Sequence, residues 1–304
     1  MQHTRFIFFL GFGLCSLLFH SCSTCSRQQN ARDITISASD WAIDSGRIDM
    51  ANKMFYALPT PIEVSVLIKN SGIGYQPALL NNPANASTYL TNSKKAINFG
   101  VYVTDLTYAG LFEQTQTVLR YKLSLQQLLE DLGLLPAVDA NTLKQLEANI
   151  NNKDEVLRII SETYSSCTAY LNEEDRYFLT LFILAGGWIE GMYIATSLTD
   201  ENLALTQDKI KQLVMDQKLT FDLMWAAMSE VEENPDIASL MSEISGLAQI
   251  FDNIYIDQTN NTVTYNVESK SSDISSESID NITPELYAEI KSNIQSIRHS
   301  FTNK

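Results

Sequence analysis

After an apolar run from Phe6 to Phe19 and a polar stretch from Ser23 to about Ser39, apolar residues recur at steps of three and four, the period of amphipathic helices. Thr60-Pro61-Ile62-Glu63 combines a threonine cap, a proline at the first helical position and a glutamate three residues after the cap. It predicts a helix to about Asn70, stopped by Ser71-Gly72-Ile73-Gly74. A loop from Tyr75 to Pro83 then leads into a short helix and one long apolar-periodic stretch from about Ser93 to Leu132, closed by Gly133 and Pro136. Two further helix starts are expected at Asn152 with Glu155 and at Asn172 followed by Glu173, Glu174 and Asp175, where acids favour the positive end of a helix. Asn234-Pro235-Asp236 opens a helix whose Ile237, Leu240, Met241, Ile244, Leu247, Ala248 and Phe251 form one face, and Thr283-Pro284-Glu285 opens a last one to about Phe301.

The period changes between Ile254 and Val267. There Tyr255 and the run Thr262 to Tyr265 flank Gln258 to Asn261, which predicts a two-stranded hairpin, while the serine-rich Ser269 to Ser278 reads as a loose loop. No repeat of solenoid period is present. The fold class expected is all-α, an irregular multi-helix bundle with one small β-hairpin near the C-terminus, forming a single helical domain over residues 40–304. With 304 residues, 45% of them hydrophobic and 10% aromatic, the chain is long and apolar enough to bury a core.

The apolar run follows Met-Gln-His-Thr-Arg and is short for a bilayer span, the arrangement of an export signal. At its end Ser21-Cys22, a small residue before a cysteine, resembles the lipobox of bacterial lipoproteins. That resemblance implies a signal peptide over 1–21, cleavage before Cys22, acylation of its thiol and a polar tether over 22–39. Each buried acyl CH₂ contributes about 0.8 kcal/mol, so two or three chains would anchor the protein while its folded part stays in water. Cleavage removes Arg5 and no acid, which takes the formal charge from −15 to −16. Such a field repels a phosphate backbone, so no nucleic-acid partner is expected.

Several strings point the same way: Phe55-Tyr56-Ala57-Leu58-Pro59-Thr60-Pro61, Tyr102-Val103-Thr104-Asp105-Leu106-Thr107-Tyr108, Glu113-Gln114-Thr115-Gln116, Glu147 to Asp154, and Ala185-Gly186-Gly187-Trp188-Ile189-Glu190-Gly191. Over roughly residues 50 to 230 the chain resembles a family of uncharacterised all-α-helical lipoproteins from Bacteroidota. The resemblance implies an envelope location and a helical fold, and no activity. In that phylum acids just after the acylated cysteine tend to direct lipoproteins to the cell surface; Ser23 to Gln29 contains none, which implies a periplasm-facing protein.

Tyr177 to Leu198 is apolar nearly all round and is either a central core helix or a membrane span. Glu190 favours the core, because a carboxylate near mid-span is costly in lipid. It shares a helix face with Gly186, Gly187 and Tyr193, and the missing side chains let another backbone or a ligand come close. A buried Glu190 needs a partner or a raised pKa. On the long helical stretch, Asp105, Tyr102, Tyr108, Phe112 and Gln116 fall on one side; facing Glu190, they would line a cleft with two carboxylates.

Other chemistries lack their residues. Of three histidines, His3 and His20 lie in the leader, leaving His299, so histidine-based nucleophilic sites and zinc or di-metal centres have too few ligands. Cys25 and Cys167 have no zinc or disulfide spacing. No metal and no cofactor is expected. Two functions are left open: an anchored envelope protein that binds a partner protein or small ligand, and a carboxylate-dependent envelope enzyme acting on a sugar or cell-wall-type substrate.

Overall fold

The computed structural model describes residues 74–198, 207–254, 256–266 and 271–303, with the side chains of 207–216 and 255–280 outside that description. The leader, the anchor Cys22, the tether and the helix expected from Thr60 to about Asn70 also lie outside it. Two 3-10 turns, Pro77–Leu79 and Pro83–Thr88, lead into α1 (Asn92–Leu111) and α2 (Thr115–Asp131). A 3-10 turn at Leu135–Ala137 precedes α3 (Thr142–Ala148), α4 (Lys153–Glu173), α5 (Tyr177–Leu198), α6 (Gln207–Ser229), α7 (Pro235–Asp252) and α8 (Pro284–Thr302). The fold is all-α.

The caps explain most of the starts. Asn152 accepts from the Glu155 amide, Asn234 from the Asp236 and Ile237 amides, and Thr283 from the Leu286 amide, with prolines inside α7 and α8 at their first turns. Each occupies a donor that the helix itself leaves unpaired.

Two expected boundaries are corrected. The stretch from Ser93 to Leu132 is two helices, because the chain reverses at Glu113, which takes a left-handed φ of 57°. The Glu113 amide bonds to Gly110 O at 3.0 Å and the Gln114 amide to Ala109 O at 2.9 Å, the paired bonds of a Schellman stop with glutamate in the glycine position. Asn172 is no helix start either. It lies in the last turn of α4, whose stop is Asp175 at φ 55°, with the Arg176 amide on Leu171 O at 2.8 Å.

The small hairpin expected within 254–267 is not supported. Residues 256–266 pass as one extended stretch through the Gln258–Asn261 position of the expected turn, with 271–280 antiparallel beside them. Gln-Thr-Asn-Asn offers no glycine for a tight primed turn, and the β-branched Thr262, Val263 and Thr264 favour continuing the extended backbone.

At the centre lies α5, packed against α1, α4, α6 and α8. Among the described residues it is the one helix long and apolar enough to cross a membrane, and 83% of its apolar window is buried inside the bundle. The α1–α5 contact is the most extensive between helices. Glycines make it close: a Cβ on Gly100 would lie 2.0 Å from Ile183 O, and one on Gly186 would lie 2.0 Å from Ile97 O. Thr104 Oγ1 spans the same crossing with bonds to Gly100 O at 3.1 Å and Gly187 O at 3.2 Å. The space beside Glu190 thus admits a helix backbone rather than a ligand. Deeper along α5, Trp188 meets Phe221 at 5.3 Å, and Phe221 stacks on Phe251 at 4.9 Å, joining α5 to α6 and α7.

Candidate functional site

Because α1 and α5 approach so closely, Asp105 and Glu190 are brought together, both with 0% exposure. Water solvates neither charge, so other groups must. For Glu190 the partner is Arg298, three residues before Phe301 on the buried face of α8. Arg298 Nε donates to Glu190 Oε2 at 2.9 Å and Nη2 to Oε1 at 3.1 Å, the forked geometry that suits a guanidinium to a carboxylate. Nη2 also donates to Leu79 O at 3.0 Å, and the guanidinium carbon lies 4.5 Å from the centre of the Tyr193 ring.

Burial raises the pKa of Glu190, and the charge and hydrogen bonds of Arg298 oppose that rise. Asp105 is pushed well above the usual carboxylate range, first by burial and then by the charge of Glu190, with Arg298 opposing. Its Oδ2 accepts from the Asn81 amide at 3.0 Å, whereas its Oδ1 is buried with no donor directed at it. One protonation pattern satisfies these observations: Asp105 keeps its proton and donates to the Glu190 carboxylate, which stays charged opposite Arg298. The cluster is then electrically neutral, as a desolvated site requires.

Polar side chains extend the cluster to residues 75–83. Asn81, 3% exposed, donates from Nδ2 to Tyr89 Oη at 3.0 Å and to Asn98 Oδ1 at 3.2 Å. Tyr121 Oη donates to Asn81 O, Tyr102 Oη to Asn82 O at 2.8 Å, and Ser124 Oγ to Pro83 O at 2.9 Å, while the Gln76 amide donates to Tyr108 Oη at 3.1 Å. The backbone groups that this half-exposed loop turns toward the bundle must be paired, and here α1, α2 and α8 supply the partners. Asn98 Nδ2 and Lys94 Nζ in turn reach Phe301 O and Ser300 O, so the last turn of α8 is fixed to α1.

Of the residues singled out in the sequence, Asp105, Glu190, Tyr102 and Tyr193 belong to this network. Gln116 does not: it is exposed, because the reversal at Glu113 breaks the helix that would have aligned it with Asp105. The decisive member missed was Arg298. Its signal was legible, since Arg298 interrupts the apolar face of Ile290, Ile294, Ile297 and Phe301, the position in which a buried acid elsewhere would need a cation. Asn81, Tyr89 and Tyr121 gave no comparable signal. Cys167 is buried and free, and burial pushes its thiol up to about 12, which keeps it protonated.

Glycoside hydrolysis needs two carboxyl groups that face a substrate between them. These two face each other and an arginine, inside the bundle. A groove of about 310 Å³ open to solvent is lined by Pro77, Leu80 and Pro83 of the 75–83 segment and by Thr117, Arg120 and Tyr121 of α2. Tyr121, almost fully buried, borders the groove and bonds through its hydroxyl to Asn81 O. No family model, curated protein or solved structure matches the chain, so the functional reading rests on this geometry.

Proposed function

We propose that this is a lipid-anchored helical protein of the bacterial cell envelope, facing the periplasm, that acts by binding rather than by catalysis. The anchor is Cys22 after removal of residues 1–21, and the lipobox-like Ser21-Cys22 behind an apolar run supports it. The observation that carries the non-catalytic reading is the complete burial of Asp105 and Glu190, with both oxygens of Glu190 held by Arg298. The acids serve to fix the 75–83 segment, and the groove along its outer side is the binding face, for a small ligand or a projecting part of an envelope protein.

Two measurements test this. The intact mass of protein purified from its own envelope should begin at an acylated Cys22, and Cys22→Ser should release the protein from membranes. An Asp105→Asn variant at normal abundance should restore whatever defect loss of the protein causes. Failure of that variant, folded and anchored, would favour an enzyme that uses the acid.

A further inference from the structure

Arg120 projects from α2 at the groove, exposed in an otherwise acidic chain, and among the described residues its polar contact is Thr117 Oγ1 at 3.3 Å. Among the described residues no carboxylate engages it, whereas the exposed Arg158 is held by Glu155 and Glu162. The Tyr75 hydroxyl reaches the same corner. It is buried at the groove without a well-formed hydrogen bond, near enough to Thr117 and Arg120 for both to lower its pKa against the effect of burial. A guanidinium and two hydroxyls thus converge at one end of the groove.

Beyond that end the lining is mostly apolar, with Asn82 as its one further polar residue among those described. The Tyr75 ring stacks on Tyr108 at 5.3 Å and is held against Phe112, while Pro77, Leu80 and Pro83 supply most of the apolar lining. At about 310 Å³ the space is at the small end of ligand pockets, with the composition such pockets share: apolar walls and a few convergent polar groups. Its walls are fixed in advance by the bonds from Tyr102, Tyr121, Ser124 and Arg298 to the 79–83 carbonyls, so little ordering is left for a ligand to bring about.

Building on the binding role assigned to this groove, we propose that it takes a small organic carboxylate with an apolar body. The carboxylate is received by Arg120 with the Thr117 and Tyr75 hydroxyls, and the body lies against Pro77, Leu80 and Pro83. Arg120 supplies the charge recognition, and since it is exposed, replacing it leaves the core intact.

The test uses the acylated full-length protein in detergent, with benzoate as the probe, benzamide as its neutral counterpart and inorganic phosphate as an anion without an apolar body. Benzoate should bind at millimolar concentrations, and both benzamide in place of benzoate and Arg120→Gln in place of wild type should weaken binding on the order of tenfold, as loss of a charge-assisted hydrogen bond does. Thr117→Val should weaken it less. Equal binding of benzoate and benzamide, or indifference to Arg120→Gln, would overturn the proposal, as would phosphate binding as tightly as benzoate. A photoreactive residue at Ala78 separates this from the broader reading. If it captures a protein while benzoate fails to bind, the ligand class is wrong and the groove is still a binding face; if neither occurs, both are wrong.

Discussion

Arg298 holds both carboxylate oxygens of Glu190 from 108 positions away along the chain, and with the second hydrogen of Nη2 it holds the carbonyl of Leu79. One side chain therefore ties the end of α8 to the middle of α5 and to the segment that walls the groove. Removing one partner of a buried pair leaves an uncompensated charge, and such losses cost about 3 to 5 kcal/mol. Arg298→Met is expected to lose stability in that range, and Glu190→Gln to lose it in the same direction. Near pH 4, where the acid carries its proton, Asp105→Asn should be nearly neutral, within about 1 kcal/mol, because the amide can still donate to Glu190 and accept from Asn81. Denaturant unfolding of the three variants checks the order; an Asp105→Asn loss as large as that of Arg298→Met would contradict it.

The same cluster fixes a pH dependence. Asp105 and Glu190 both have folded-state pKa values above those of the unfolded chain, Asp105 by the larger margin. The folded state thus binds protons more tightly, so this contribution is fully present below the ordinary carboxylate range near pH 4 and is lost as pH rises through the raised values. Relative to wild type, Asp105→Asn should lack that decline. Unfolding free energies of both proteins at a series of pH values should therefore diverge in favour of the variant as pH rises, and parallel curves would show that Asp105 gives up its proton without consequence.

Two glycines on α5 predict opposite outcomes from the same substitution. Gly186→Ala places a methyl group 2.0 Å from Ile97 O, so α1 and α5 must separate, at a cost of about 3 kcal/mol or more. Gly191 has nothing within 4 Å of the added Cβ, and there alanine should stabilise by about 0.5 to 1 kcal/mol through its better helix propensity. Thermal melts of the pair give the comparison, and the account requires shifts of opposite sign.

Cys167 should be inert. With 0% exposure and a thiol pushed up to about 12, it has little thiolate at neutral pH and no path for a reagent. In a Cys25→Ser background it is expected to resist alkylation in the folded protein and to react promptly once unfolded. Rapid alkylation under native conditions would mean that α4 opens locally.

The sequence showed clearly what depends on local chemistry. Caps at Asn152, Asn234 and Thr283 and the glycine stop at Gly133 were readable because each is a residue type suited to its backbone position. The stops at Glu113 and Asp175 were hidden for the converse reason, since exposed non-glycine residues take left-handed geometry there, with backbone bonds closing the helix ends around them. Glu190 and Asp105 stood out as polar intrusions, but periodicity places faces and not distances, and their meeting depends on the Gly100–Gly186 crossing. Arg298 could be noticed as a cation on the apolar face of α8, but which acid it pairs with only the three-dimensional fold reveals. The groove combines a loop with one face of α2, and no pattern along the chain announces such a pairing.

The most direct test of the central claim, that the buried acid cluster works as a structural latch for the groove wall, is hydrogen exchange across residues 75–83 in wild type and Arg298→Met. The amides of Gln76 and Asn81 are held by Tyr108 and Asp105, and the carbonyls of Leu79, Asn81, Asn82 and Pro83 by side chains of α8, α2 and α1. The account predicts that Arg298→Met accelerates exchange through this segment while the middle of α4, remote from the cluster, stays protected. Unchanged protection of 75–83 in a folded Arg298→Met protein would contradict it.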